Sequence, residues 1–170
     1  SSNNFGTLAI TGANVAVTDT NAIILGASTI SGTYTLTSAG AVTDTGALAI
    51  TGVTTLAAGS GNNITLDHTS NNFQAAVIIT SGNNVTLVDA GAIDLGASTV
   101  SGTYAVTATA SGDITDSGVL AITGGATFTV ANGRSITLDQ SSTFSSTVTF
   151  VASAGTIAAV TINDSNALDL

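Results

Sequence analysis

A block of about 70 residues that occurs twice and begins a third time, short alternations of β-branched and small residues broken by Gly, Asn and Ser, and the lack of any Glu or Lys together predict an all-β chain wound as a right-handed parallel β-helix. LGASTISGTY at 25–34 returns as LGASTVSGTY at 95–104, ALAITG at 47–52 as VLAITG at 119–124, and NNITLD at 62–67 as RSITLD at 134–139. The closing NDSNALDL matches TDTNAIIL at 18–25, so the chain reads as one solenoid segment, 1–170, of a longer array whose first partners are further repeats of the same parent chain. Glu and Lys are good helix formers, whereas Thr, Val and Ile favour pleated structure, so helices are not expected.

Period-2 alternation bounded by turn residues divides the chain into about seven coils of 20–27 residues: 7–32, 33–52, 53–75, 76–102, 103–124, 125–146 and 147–170. Three coils make one super-repeat of about 70 residues, and each coil is expected to hold three short strands. In the first coil Leu8 and Ile10, Val15 and Val17, and Ile23 and Leu25 point inward. The second offers Tyr34 and Leu36, Val42, and Leu48 and Ile50; the third offers Thr54 and Leu56, Ile64 and Leu66, and Phe73. The fourth repeats the first with Val77 and Ile79, Val85 and Leu87, and Ile93 and Leu95. Tyr104 and Val106, Ile114, and Leu120 and Ile122 serve the fifth, and Ala126 and Phe128, Ile136 and Leu138, and Phe144 the sixth. The seventh brings Val148 and Phe150, Val160 and Ile162, and Leu168 and Leu170. One coil cannot bury so few side chains alone, but coils stacked at ~4.8 Å bury them in columns, giving a rod of ~34 Å. An antiparallel sandwich also suits many short strands, yet it gives no reason for like residues to recur once per coil.

The most specific local pattern is one Asp after the second strand of each coil: Asp19, Asp44, Asp67, Asp89, Asp116, Asp139 and Asp164. In five coils it opens Asp-x-Gly/Asn, and the third residue, Asn21, Gly46, Gly91, Gly118 or Asn166, is expected to take the left-handed conformation of a tight corner. The Asp itself can accept the N–H two residues on. A second reading is a calcium column, since stacked coils would set these carboxylates about 5 Å apart, where a cation relieves their repulsion. One Asp per coil falls short of the six to eight oxygens that calcium takes, so the corner role is preferred and no cofactor is expected.

Other chemistry finds little support. The net charge is −9, with Arg134 the only strong base, which argues against nucleic acid, because phosphate binding needs clustered Lys and Arg. His68 lies in a long corner where the next repeat has Gln140, and Arg134 lies where the earlier repeat has Asn62; both read as surface residues. Asp94 and Asp113 lie outside the recurring set, and no tuned carboxylate pair, nucleotide loop or nucleophile–His arrangement points to an enzyme. Outward Thr residues such as Thr35, Thr37, Thr127 and Thr129 suggest a face for ice or carbohydrate, although Thr is also the ordinary half-exposed strand residue. No run approaches the ~18 apolar residues of a membrane span, and a targeting leader is expected to lie outside this segment.

Coils such as GNNVTLVDAGAIDLGASTVSG and GDITDSGVLAITGGATFTVANGRSITLD resemble the repeat regions of bacterial filamentous-haemagglutinin-like large exoproteins and related giant surface adhesins, over essentially the whole chain. The resemblance implies a right-handed β-helix serving as the non-enzymatic shaft of a secreted or cell-surface adhesin, which projects or spaces adhesive regions made elsewhere; it names no receptor. An extracellular or bacterial cell-surface location follows from the same likeness. Alternatives are a self-assembling filament subunit whose uncapped ends pair head to tail, and a calcium-stiffened or ice- or carbohydrate-binding solenoid.

Overall fold

Apolar side chains at every second position, with Gly and Asn between, leave the backbone one economical solution, parallel strands laid turn upon turn. The computed structural model describes residues 3–110 and 112–170, and among them every regular element is a strand and every strand pairing is parallel. The chain is a β-solenoid of about seven turns.

Its lower half runs in triples: β1 (Thr7–Leu8), β2 (Thr11–Gly12) and β3 (Val15–Asp19); β4 (Ile23–Leu25), β5 (Ser28–Ile30) and β6 (Tyr34–Ser38); β7 (Val42–Asp44), β8 (Leu48–Ile50) and β9 (Thr54–Ala57); β10 (Ile64–Leu66), β11 (Asn72–Phe73) and β12 (Val77–Ser81). The first strand of each triple joins a first sheet, the second a second sheet, and the third a third sheet. The order then shifts. β13 (Val85–Asp89) returns to the first sheet, β14 (Ile93–Leu95) joins the third, and β15 (Ser98–Val100) starts a short fourth ladder. β16 (Tyr104–Ala108), β17 (Ile114–Asp116), β18 (Leu120–Ile122) and β19 (Ala126–Val130) keep this new order. β20 (Ser135–Phe144) pairs β17 through its first half and β18 through its second, and β21 (Val148–Ala152) and β22 (Ala159–Asp164) close the first and third sheets. The short side strand therefore lies on the way from the first sheet to the third in the lower half, and on the way back in the upper half.

This switch has a simple arithmetic origin. Equivalent strands of the two repeats change sheets: β6 is in the third sheet and its equivalent β16 in the first, β7 in the first and its equivalent β17 in the third. From Val15 in β3 to the equivalent Val85 in β13, the chain passes β6, β9 and β12 of the third sheet and then crosses to the first, which is three and a half turns. The expected three coils per super-repeat are thus corrected. Segment 7–32 carries five strands, β1 to β5, and 76–102 carries four, β12 to β15, because Thr11–Gly12, Ser28–Ile30 and Ser98–Val100 are sides in their own right. At the far end, 167–170 forms no strand, and Val160, Leu168 and Leu170, expected inward, are exposed.

The inward columns are those the alternation predicts. Ile23, Val42, Ile64, Val85, Tyr104, Ala126 and Val148 stack in register along the first sheet, and all are buried. Phe128 sits at the centre of an aromatic group, edge-on to Tyr104 and Phe144 with centroids 6.1 and 6.2 Å away and stacked on Phe150 at 6.0 Å, the offset and T-shaped geometries that ring quadrupoles favour. One turn takes 17 residues at Thr7↔Ile24 and 24 at Ser135↔Ala159; the variation is absorbed at corners.

Candidate functional site

The recurrent Asp residues are staples between turns. Asp89 is fully buried; its Oδ2 accepts the Phe73 N–H of the turn below at 2.7 Å, and its Oδ1 accepts the Gly91 N–H at 2.6 Å. Asp19 takes the Phe5 N–H at 3.2 Å, and Asp164 takes that of Phe144 at 3.2 Å, so one staple of this kind recurs in each super-repeat. A second kind reaches upward. Asp44 accepts the N–H groups of Asp67 and His68, at 3.1 and 3.4 Å, and Asp116 accepts those of Asp139 and Gln140, at 2.9 and 3.4 Å. The long corner 67–73 is thereby held from below by Asp44 and from above by Asp89, and 139–144 by Asp116 and Asp164. Corners that break the ladder leave N–H groups needing acceptors, and a carboxylate is the strongest one available.

The upward staples differ between repeats at one residue. Asn71, fully buried, donates Nδ2–H to Asp44 Oδ2 at 2.6 Å while its Oδ1 accepts the Leu48 N–H at 2.9 Å. Ser142 stands at the equivalent place; its Oγ accepts the Leu120 N–H at 2.9 Å, but Asp116 Oδ2 is left buried without a partner. Burial pushes the Asp116 carboxyl up from its ordinary value, with the charge of Asp139 adding to this and the Asp139 and Gln140 N–H groups pulling it back. Asp89 is also raised by burial, against the pull of the Phe73 and Gly91 N–H groups.

The seven Asp residues do not line up in a single column, and the five residues expected to be left-handed are not. In the ladder Asp19 lies under Ser38, Asp44 over Leu25, Asp89 beside Ala108, Asp116 beside Leu95, and Asp164 beside Ser142, while Asp67 and Asp139 are exposed. Asp19 and Asp44 are 25 residues apart where the turn between Ile23 and Val42 is 19, so these two lie on different sheets, whereas Asp44, Asp67 and Asp89 follow the same end of the first sheet, each displaced along the strand from the one below. No group of three or more acidic, His or Cys side chains comes together among the described residues. Asn21, Gly46, Gly91, Gly118 and Asn166 have negative φ; among the described residues only Gly59, Gly133 and Gly155 are positive. Gly46 and Gly118 are needed for closeness instead, since a Cβ there would collide with the backbone of Ala27 or Ala97 in the turn below. At Gly91 a Cβ would meet only Asp89 Oδ1 at 3.6 Å, consistent with Asn at the same place in two other coils. The expected Asp-to-third-residue N–H bond is present at Asp89–Gly91 and, at 3.3 Å, at Asp164–Asn166; Asp19 bonds the next residue, Thr20.

His68 contributes through its main chain to Asp44, and its Nδ1 accepts the Ser70 N–H at 3.2 Å. Arg134 is half-buried at a corner, its N–H donating to the Ala131 carbonyl at 3.2 Å and its carbonyl accepting from Ala158 at 2.8 Å. Of the two further acids, Asp94 accepts Ser117 Oγ–H at 2.7 Å and Asp113 the Ser135 N–H at 2.8 Å; they lie on neighbouring turns, Asp113 two residues before the Thr115 that pairs with Asp94, and have different partners. Sequence reading missed Asn71 and Ser142, and with them Ser28 and Ser98, whose Oγ atoms accept the Ile10 and Ile79 N–H groups at 3.0 and 3.1 Å and donate to Gly26 and Gly96 carbonyls at 2.8 Å. Recurrence of GAST at 26–29 and 96–99 was the available signal.

The outward positions of the long strands make two flat surfaces. On the third sheet Thr35 lies between Ala16 and Thr55, with Thr37 between Thr18 and Ala57. On the first sheet Thr127 lies between Ala105 and Thr149, with Thr129 between Thr107 and Val151. No curated protein and no solved structure matches the chain. A family model does, twice in succession, over residues 12–80 and 82–151, and these spans start at Gly12 and Gly82, equivalent points of the two structural repeats. With most of its length so matched, the chain belongs to the family described as repeats of unknown function (DUF5649).

Proposed function

We propose that the chain is a length of structural shaft from a large secreted or cell-surface adhesin, which holds adhesive regions away from the surface that bears it. The observation that carries this reading is the continuity of the ladder: first-sheet strands pair without a break from β1 to β21, and buried carboxylates tie each long corner to the turns on both sides. Such a solenoid spreads an axial load over many main-chain hydrogen bonds, and adding repeats adds length without altering the cross-section. Resemblance to large exoproteins supports the adhesin half of the proposal.

Each super-repeat of three and a half turns should add ~17 Å of rod, at ~4.8 Å per turn. Negative-stain images of the parent molecule test this: a thin rod whose length scales with repeat number is expected, and a compact particle overturns the shaft. Immunogold labelling of intact cells tests the location, and label appearing only after permeabilisation overturns the surface assignment.

A further inference from the structure

The chain carries a net charge of −9, yet two broad faces bear no charge at all. Every outward side chain of β3, β6, β9 and β12 on the third sheet, and of β13, β16, β19 and β21 on the first, is Thr, Ala, Val or Ile, and none is buried. Asp19, Asp89, Asp116 and Asp164 lie at the corners instead, with carboxylates committed to backbone N–H groups, while Asp94, outward in the middle of β14 and bonded to Ser117 Oγ, bounds the third-sheet face beyond β12. The first-sheet face runs in unshifted register from β13 to β21, so its side chains form straight rows of methyl and hydroxyl groups. Half-turn phasing of the super-repeat puts the same face on a different sheet in each successive repeat.

We propose that these two faces pair with the same faces of a second copy of the chain, so that rods associate side by side. Three features favour a like rod as occupant. Along uncharged faces as broad as these, two strongly acidic rods can approach without setting like charges against each other. Flat rows of small side chains suit the ~10 Å face-to-face spacing of packed sheets. Surfaces on two sides, repeated by the phasing, let one rod engage two neighbours, whereas a single flat substrate such as ice would use only one side. Four strands at ~4.8 Å by five residues at ~3.3 Å give roughly 300 Å² per face, below the ~800 Å² per partner of a stable interface. Pairing is therefore weak for one face and strengthens when faces repeat along a rod. The inference rests on the fold and stands apart from the adhesin role.

Sedimentation velocity across a concentration series, in 0.15 M and 1 M NaCl, with the chain as it stands, tests the pairing. Open-ended association that strengthens with salt is expected. Thr35→Asp with Thr55→Asp on one face, or Thr107→Asp with Thr127→Asp on the other, should stop growth at the dimer. All four together should raise the concentration needed for association at least tenfold. Far-UV circular dichroism checks each variant, and where an Asp variant loses its β spectrum the Gln counterpart at the same positions replaces it. A wild-type chain that stays monomeric throughout overturns the proposal. So does association unchanged in the four-site variant, which would be end-to-end, or inhibition of ice growth by a chain that does not self-associate.

Discussion

Asn71 and Ser142 show how one buried atom sets the energetics of a corner. Asn71 gives Asp44 its third donor, while the shorter Ser142 leaves Asp116 Oδ2 without one. A hydrogen bond to a charged group is worth about 1.5–3 kcal/mol and an orphaned buried acceptor costs a similar amount. Ser142→Asn should therefore raise stability by about 1–2 kcal/mol and Asn71→Ser lower it by as much, read from urea denaturation midpoints; equal midpoints for all three proteins would show that water replaces the amide. The same carboxylates set a pH dependence. Asp89 and Asp116 are raised above the ordinary carboxylate value, chiefly by burial, so the folded state takes up protons more readily than the unfolded one. Their contribution is fully present below the unfolded pKa of ~3.9 and is lost as pH rises through the folded values. Melting temperature should accordingly rise as pH is lowered through the folded pKa values toward ~3.9, and Asp116→Asn, whose amide keeps an oxygen for the Asp139 N–H, should flatten the rise. A melting temperature that falls over this range contradicts the assignment.

Among the elements, β19 bears the greatest packing load, because Phe128 touches aromatic rings from the turns below and above as well as Phe144 on its own turn. Phe128→Ala should cost about 3–5 kcal/mol and loosen β16 and β21 together, measurable as matched loss of hydrogen-exchange protection in both strands; loss confined to β19 would mean that turns are stabilised one by one. The inward residues of such strands were legible from alternation alone: Tyr34 and Leu36, Val77 and Ile79, Tyr104 and Val106 are all buried as expected. Short sides were not. Thr11–Gly12 and Ser28–Ile30 have too few residues to show a period, so the sequence pattern merges them with neighbouring turns. The Asp positions were legible and their partners were not, because the Phe5, Phe73 and Phe144 N–H groups that Asp19, Asp89 and Asp164 accept lie 14 to 20 residues away. Only the number of residues per turn decides what those carboxylates meet.

Across the whole molecule, the half-turn in the super-repeat is the property with the widest consequences, since it decides which side of the rod every repeated residue occupies. Thr43 and Thr115 are the same residue of successive repeats, yet Thr43 is in β7 of the first sheet and Thr115 in β17 of the third. Thr43 and Thr127 are not equivalent, but they share one outward column, four strand steps apart through Thr65, Thr86 and Ala105. The chain has no Cys, so pairs of spin labels can be placed on introduced cysteines without competing thiols. A 43/127 pair should lie near ~19 Å, four strand spacings of ~4.8 Å, with a narrow distribution. A 43/115 pair combines an axial offset of ~17 Å with the separation between two different sheets, and should be the longer distance although its labels are closer in sequence. If each super-repeat were three whole turns, 43/115 would fall in one column at ~14 Å and be the shorter of the two. The order of the two distances therefore distinguishes a rod whose repeats share one face from one whose repeats alternate. Only an alternating rod offers like surfaces to neighbours on two sides.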